Sequence, residues 1–161
     1  MNAPADYEEI LQSAHRGELF ELCVYTGLLE ADAFPEHRPD LVQLSEHARA
    51  AREHLQRLPG HQLDRFTRTE TAARADEYRT LISRLGWTEF INATLDFGYA
   101  ALYRLYQLNA LAPEPIRPAI MALTEHYKAV VTATQLLHAC PTGPAVRRAH
   151  RRRSIPERRT A

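Results

Sequence analysis

At 161 residues the chain is the size of one domain with room for a real core. It is 45% hydrophobic and 25% charged, an ordinary globular make-up, and no run approaches the ~20 apolar residues a membrane span requires. The opening MNAPADYEEI is acidic and has no apolar signal core, so the expected compartment is cytoplasmic, with no membrane partner.

The net charge of zero hides an asymmetry. From Pro141 onward there are seven arginines against a single acid, Glu157, a net +6, which leaves −6 on the body before it. Two cysteines, Cys23 and Cys140, fit no metal spacing. Both stand in apolar helical contexts and read as small buried hydrophobes, a disulfide being disfavoured in a reducing compartment.

In chain order, the first helix is expected from near Asp6, an acceptable N-cap, to about Glu30. Gly17 weakens its propensity without breaking the period. One face reads Leu11, Ala14, Glu18, Glu21, Tyr25, Leu28, with two carboxylates inside a largely apolar stripe. The neighbouring face, Leu19, Leu22, Thr26, Leu29, competes for the core. Acids are seldom fully buried unless paired, so Glu18 and Glu21 could equally be solvated.

Residues 34–39 hold two prolines and read as a loop; Asp40 is then expected to cap a second helix running to about Leu58. Its stripe, Leu41, Leu44, Ala48, Ala51, Leu55, Leu58, is regular, with His47 and His54 flanking it. Pro59-Gly60 ends it. The polar run His61 to Thr69 reads as irregular, and a third helix is expected over about 70–85 with Ala75, Tyr78, Ile82 and Leu85 inward. A kink rather than a full break is expected at Gly86.

Two long helices follow, joined at Ala112-Pro113-Glu114-Pro115. The first carries Ile91, Leu95, Gly98, Leu102 and Leu105 at helical spacing; the second carries Ile116, Ile120, Leu123, Tyr127, Val130, Thr134 and Leu137. A connection this short makes them an antiparallel hairpin. No strand-like alternation or internal repeat occurs, so the fold expected is all-α, an antiparallel four- to five-helix bundle over residues 1–140. Residues 141–161 form a basic tail with too few apolar residues to pack, which reads as disordered. Such an arm can bind nucleic acid or another acidic surface, although no aromatics interleave with its arginines for base stacking.

The sequence has no glycine-rich phosphate loop, Gly-x-Ser-x-Gly, His-Glu-x-x-His or Cys-x-x-Cys. No catalytic residue can be assigned. An all-helical chain leaves one metal chemistry to test, the carboxylate-bridged di-metal bundle, in which two helices each give a carboxylate and two give Glu-x-x-His. None of the eight histidines has Glu three residues before it. Two near-misses remain: Ala51-Arg52-Glu53-His54 lacks the Glu, and Glu125-His126-Tyr127-Lys128 has Lys in the His slot. Upstream of each lies a carboxylate, Glu21 before Ala51 and Asp96 before Glu125.

With Trp87-Thr88-Glu89-Phe90 leading to Leu95-Asp96, the Leu105 to Leu111 run and Leu123-Thr124-Glu125-His126-Tyr127-Lys128, the chain resembles ferritin-like proteins of the phenylacetate-catabolism type, the phenylacetyl-CoA epoxygenase subunits. The resemblance covers about a third of the chain, the first two helices entering only by spacing. It implies Glu21, His54, Asp96 and Glu125 as the metal-ligand positions, with Ala51 and Lys128 departing from the pattern. Lys128 has three donors and no lone pair, so it cannot coordinate, but it can neutralise Glu125, Asp96 or Glu21 in place of a metal. The bland alternative is a surface pair with Glu125. The resemblance also supplies a precedent, since those epoxygenases pair a catalytic subunit with a related metal-free one.

The expected function is thus a non-catalytic structural or partner-binding subunit, homo- or hetero-oligomeric, in an oxygenase-like assembly, without a cofactor. The alternative is an iron- or manganese-dependent oxidoreductase with a reduced carboxylate/His site. A weaker one is a small regulator whose arginine tail contacts nucleic acid.

Overall fold

The computed structural model describes residues 3–139, with side chains from residue 6 onward. Cys140 and the basic tail lie outside the described residues. Five helices are present: α1 (Ala3–Glu30), α2 (Arg38–Gln56), α3 (Arg65–Leu85), α4 (Trp87–Leu111) and α5 (Arg117–Ala139), with short 3-10 turns at Pro35–His37 and Glu114–Ile116. No strand occurs among the described residues, and none of their helices is long and apolar enough to cross a membrane. The all-α expectation holds.

Four of the helices form a ring in which α1 packs on α2 and α4, and α5 packs on α2 and α4. Directions follow from which residues meet. Tyr25 lies against Phe90, Phe20 against Phe97 and Gly17 against Arg104, so α1 and α4 are antiparallel. Leu41 and Leu44 share a cluster with Leu137, whereas Leu55 shares one with Ile120 and Leu123, so α2 and α5 are antiparallel too. The short connections make α1–α2 and α4–α5 hairpins. Thus α2 and α4 point the same way. The third helix returns the chain between them, packing on α1 and α4 alongside the ring. It runs parallel to α1, with Arg79 at Gly27 near one end and Arg68 beside His15 near the other.

The apolar stripes explain this packing. On α1 the Leu11, Ala14, Tyr25, Leu28 face is buried, and Leu19, Leu22, Thr26 and Leu29 are only partly covered. The α2 stripe from Leu41 to Leu58 is buried throughout. On α4, Ile91, Gly98 and Leu105 are buried while Leu95 and Leu102 pack at the margin. The core divides into two clusters. One gathers Leu11, Leu55, Leu105, Leu108, Ile120 and Leu123. The other gathers Val24, Leu28, Leu41, Phe90, Ile91 and Leu137, with Phe34 and Trp87.

Four local expectations are corrected. The second helix starts at Arg38 after His37, so Asp40 lies inside its first turn rather than capping it. The third helix starts at Arg65, because Asp64 caps it: its Oδ1 accepts from the Thr67 amide at 2.6 Å. A polar run concealed that cap. Gly86 makes a full break rather than a kink, ending α3 and opening α4 at φ +101°, a conformation side-chain-bearing residues rarely adopt. Because the chain turns there, Leu85 is 55% exposed rather than inward.

Leu55 is fully enclosed between α1, α4 and α5. Leu55→Ala is expected to cost about 2–5 kcal/mol in denaturant unfolding. A cost near zero would contradict this packing register.

Candidate functional site

Between the two apolar clusters α1 places Glu18 and Glu21, three residues apart and so on one helical face. That face points inward because Leu11, Ala14, Tyr25 and Leu28 share it. Glu18 is only 3% exposed, and its Oε2 has no hydrogen-bond partner. Glu21 is half-buried, and the buried Tyr25 hydroxyl donates to its Oε2 at 3.2 Å.

The cations facing these acids are arginines from two other helices. Arg104 of α4 reaches across α1 at Gly17, where an added Cβ would stand 3.0 Å from its Nη2. A side chain at that position would crowd the guanidinium, so the mid-helix glycine gives it passage. The charge of Arg104 acts on both acids, and that of Arg52 from α2 acts on Glu18. Neither arginine forms an ion pair within 4 Å to them, and the Arg104 Nε is buried without a hydrogen-bond partner.

Burial therefore dominates the electrostatics. It drives the Glu18 carboxyl well above the usual carboxylate range, and the neighbouring Glu21 charge adds to the rise. Glu21 is pushed up to about 7 by burial, against the opposing pulls of the Tyr25 hydrogen bond and the Arg104 charge. Burial and the Glu21 charge also raise Tyr25 far above an ordinary phenol. Glu18 thus holds its proton more tightly than an ordinary carboxyl, and Glu21 titrates near neutral pH. Two carboxyls of raised proton affinity on one helical face make the fold sensitive to pH.

Glu21 and Tyr25 line a narrow crevice with Ala48, Ala51, His47, His126 and Tyr127. It leaves about 10 Å³ free, the room of about one water molecule. The Tyr127 hydroxyl there is buried without a partner. On the seam of α2 and α5 stand His47, His54 and His126, with ring centroids 5.4 Å apart for His47–His126 and 6.2 Å for His54–His126. The His126 Nε2 lies 3.2 Å from the His47 carbonyl oxygen. Burial and the neighbouring His126 depress the His47 pKa.

Of the ligand positions implied by the resemblance, only Glu21 and the half-buried His54 look toward the interior. Asp96 is exposed on the side of α4 that faces α3, where its charge raises the Tyr78 phenol. Glu125 is exposed on the outer face of α5. Lys128 meets Glu125 at 2.7 Å, with side chains 46% and 70% exposed, and forms no ion pair with Asp96. The inward convergence of Asp96, Glu125, His54 and Lys128 is therefore not found. The physical reason is helical phase: Leu123, Tyr127, Val131 and Thr134 take the buried face of α5, which turns positions 125 and 128 to solvent. As placed, these residues do not fit a di-metal centre, and among the described residues no three His, Cys, Asp or Glu side chains come together to hold a metal.

The interior cation is Arg104, which the sequence reading did not single out. Its one sequence signal is Gly17, the only glycine within the Glu18/Glu21 turn. Cys23 is a free thiol, as expected, but only partly covered rather than buried, and burial raises its pKa.

The raised carboxyls give a pH signature. An acid whose folded pKa exceeds its unfolded value binds its proton more tightly in the fold, so its ionisation destabilises. For Glu21 that loss is absent below about 4.5 and grows until about 7. The lowered His15 and His47 tilt stability the opposite way, but equally in a variant that retains them. Relative to wild type, Glu21→Gln should gain about 1–2 kcal/mol as pH rises from about 5 to about 8, measured by urea unfolding. Parallel pH curves would contradict the burial. Lys128→Ala, removing an exposed i, i+3 pair, should leave the urea midpoint unchanged within error at any of these pH values.

Compared with known proteins, the chain matches no protein-family model, no curated protein and no solved structure.

Proposed function

We propose that the chain is a non-catalytic, partner-binding helical subunit of the ferritin-like kind, in which guanidinium charge and protonation, rather than a metal, accommodate the interior carboxylates. The observation that carries this reading is the placement of Glu18 and Glu21 opposite Arg104, with Ala51 where a bridging carboxylate would be needed. A guanidinium has no lone pair to coordinate with, and it disfavours a second cation beside it.

The helix order supports the ferritin-like part: two antiparallel hairpins whose inner connection is a long crossover running the length of the bundle. Support for partner binding comes from the outer face of α4. Tyr99, Tyr103 and Tyr106, spaced at four and three residues, are 50%, 65% and 54% exposed. Tyrosine is enriched where proteins meet, because its ring is apolar and its hydroxyl tolerates water. Gln135 donates to the Tyr99 hydroxyl at 2.7 Å, and the exposed Leu136 extends the same region onto α5. The occupant that suits an all-helical face of this composition is another helical subunit, either a second copy or a homologous chain.

Metal analysis of protein purified without chelator tests the reading. Sub-stoichiometric iron and manganese are expected in the unaltered protein. Stoichiometric metal in the unaltered protein would overturn the proposal in favour of a reduced-site oxidoreductase.

A further inference from the structure

A second polar recess lies away from the carboxylate pair, where α1, α2 and the start of α3 meet. Its lining is His15, Arg52, Gln56, Gln62, Leu63 and Arg68, and it leaves about 40 Å³ free, the room of about three water molecules. No carboxylate lines it. We propose that this recess is a binding site for a small tetrahedral oxyanion, a phosphate group held by Arg52 and Arg68 with His15 and the two glutamine amides as further donors.

The charge balance points the same way. Arg38, Arg74 and Arg79 each have a carboxylate within 4 Å, whereas Arg52 and Arg68 have none. Arg52 acts electrostatically on Glu18 but forms no ion pair with it, which leaves its guanidinium donors open toward the recess. Arg68 donates from Nε to the Asp64 carbonyl oxygen at 3.4 Å, which leaves its terminal nitrogens for another acceptor. The nearby Asp64 carboxylate is engaged with the Thr67 amide, capping α3. His15 is 6% exposed and has its pKa depressed by burial and by the Arg52 charge. The recess thus gathers two guanidiniums without an ion pair within 4 Å and a buried imidazole, with no carboxylate in its lining, although the Asp64 charge acts on Arg68 from beside it. A guanidinium presents its donors in a fork that matches phosphate oxygens.

Scale favours a phosphate group over a larger ligand, with any remaining part directed to solvent past the exposed Gln56, Gln62 and Arg68. The groups facing His15 are Arg52 from α2 and Arg68 from α3. A bound dianion would reverse the sign of its surroundings and raise the imidazole pKa.

The test is NMR titration of the His15 imidazole with inorganic phosphate and, separately, phenyl phosphate, against chloride at equal ionic strength. Saturable shifts of His15 with phosphate but not chloride, an upward move of its pKa, and about tenfold weaker binding in Arg68→Ala are expected. Arg68 is exposed, so that variant retains the fold; Arg52→Gln should weaken binding at least as much. Binding of both probes would assign the site to the terminal phosphate of a larger ligand, and binding of inorganic phosphate alone to the free ion. Either result sustains the proposal. Shifts equal to those in chloride, or unchanged by Arg68→Ala and Arg52→Gln together, would overturn it.

Discussion

The structure depends on one constraint: two carboxyls on a single face of α1 stand in the middle of a helical bundle. Charged side chains taken from water must be paired, hydrogen-bonded or neutralised. Here all three devices are used in part. Tyr25 donates to Glu21, the Arg104 and Arg52 charges act on the acids, and burial raises the proton affinity of Glu18. The surrounding small residues follow from this. Gly17 leaves passage for Arg104, and Ala48 and Ala51 line the crevice beside Glu21.

This polar layer also organises the core. On every ring helix the buried residues of one cluster give way to those of the other at about the level of Glu18 and Glu21. Buried polar groups can specify which compact arrangement a bundle adopts, because a shifted register would leave them facing apolar surface. Several atoms near the layer, including Glu18 Oε2, Arg104 Nε and the Tyr127 hydroxyl, have no hydrogen-bond partner. They make the layer costly in stability, and its weight in the fold lies in fixing one register of the bundle.

Much of the architecture was legible from periodicity, since the stripes on α2, α4 and α5 are dense enough to fix their buried faces. What failed was local or long-range. The Asp64 cap was hidden in a polar run, and the turn at Gly86 depends on a backbone angle that composition does not encode. At the site, helical phase on α5 decided against Lys128: Tyr127 and Val131 hold the inward positions, so the Glu125–Lys128 pair is an ordinary surface contact. The orientation of Glu18 and Glu21 could not be read from α1, because the guanidinium acting on them sits on α4, far along the chain, with Gly17 its one local trace. The cation whose charge acts on the interior acids is Arg104, a residue outside the set expected from the sequence.

The central claim, that Glu18 and Glu21 form a buried pair with raised proton affinity, is tested most directly by carbon-detected NMR titration of the two carboxyls. Glu21 should show a midpoint at about 7, and the Glu18 midpoint should lie well above the ordinary carboxyl value. Midpoints for both near the ordinary value of 4.5 would contradict the account.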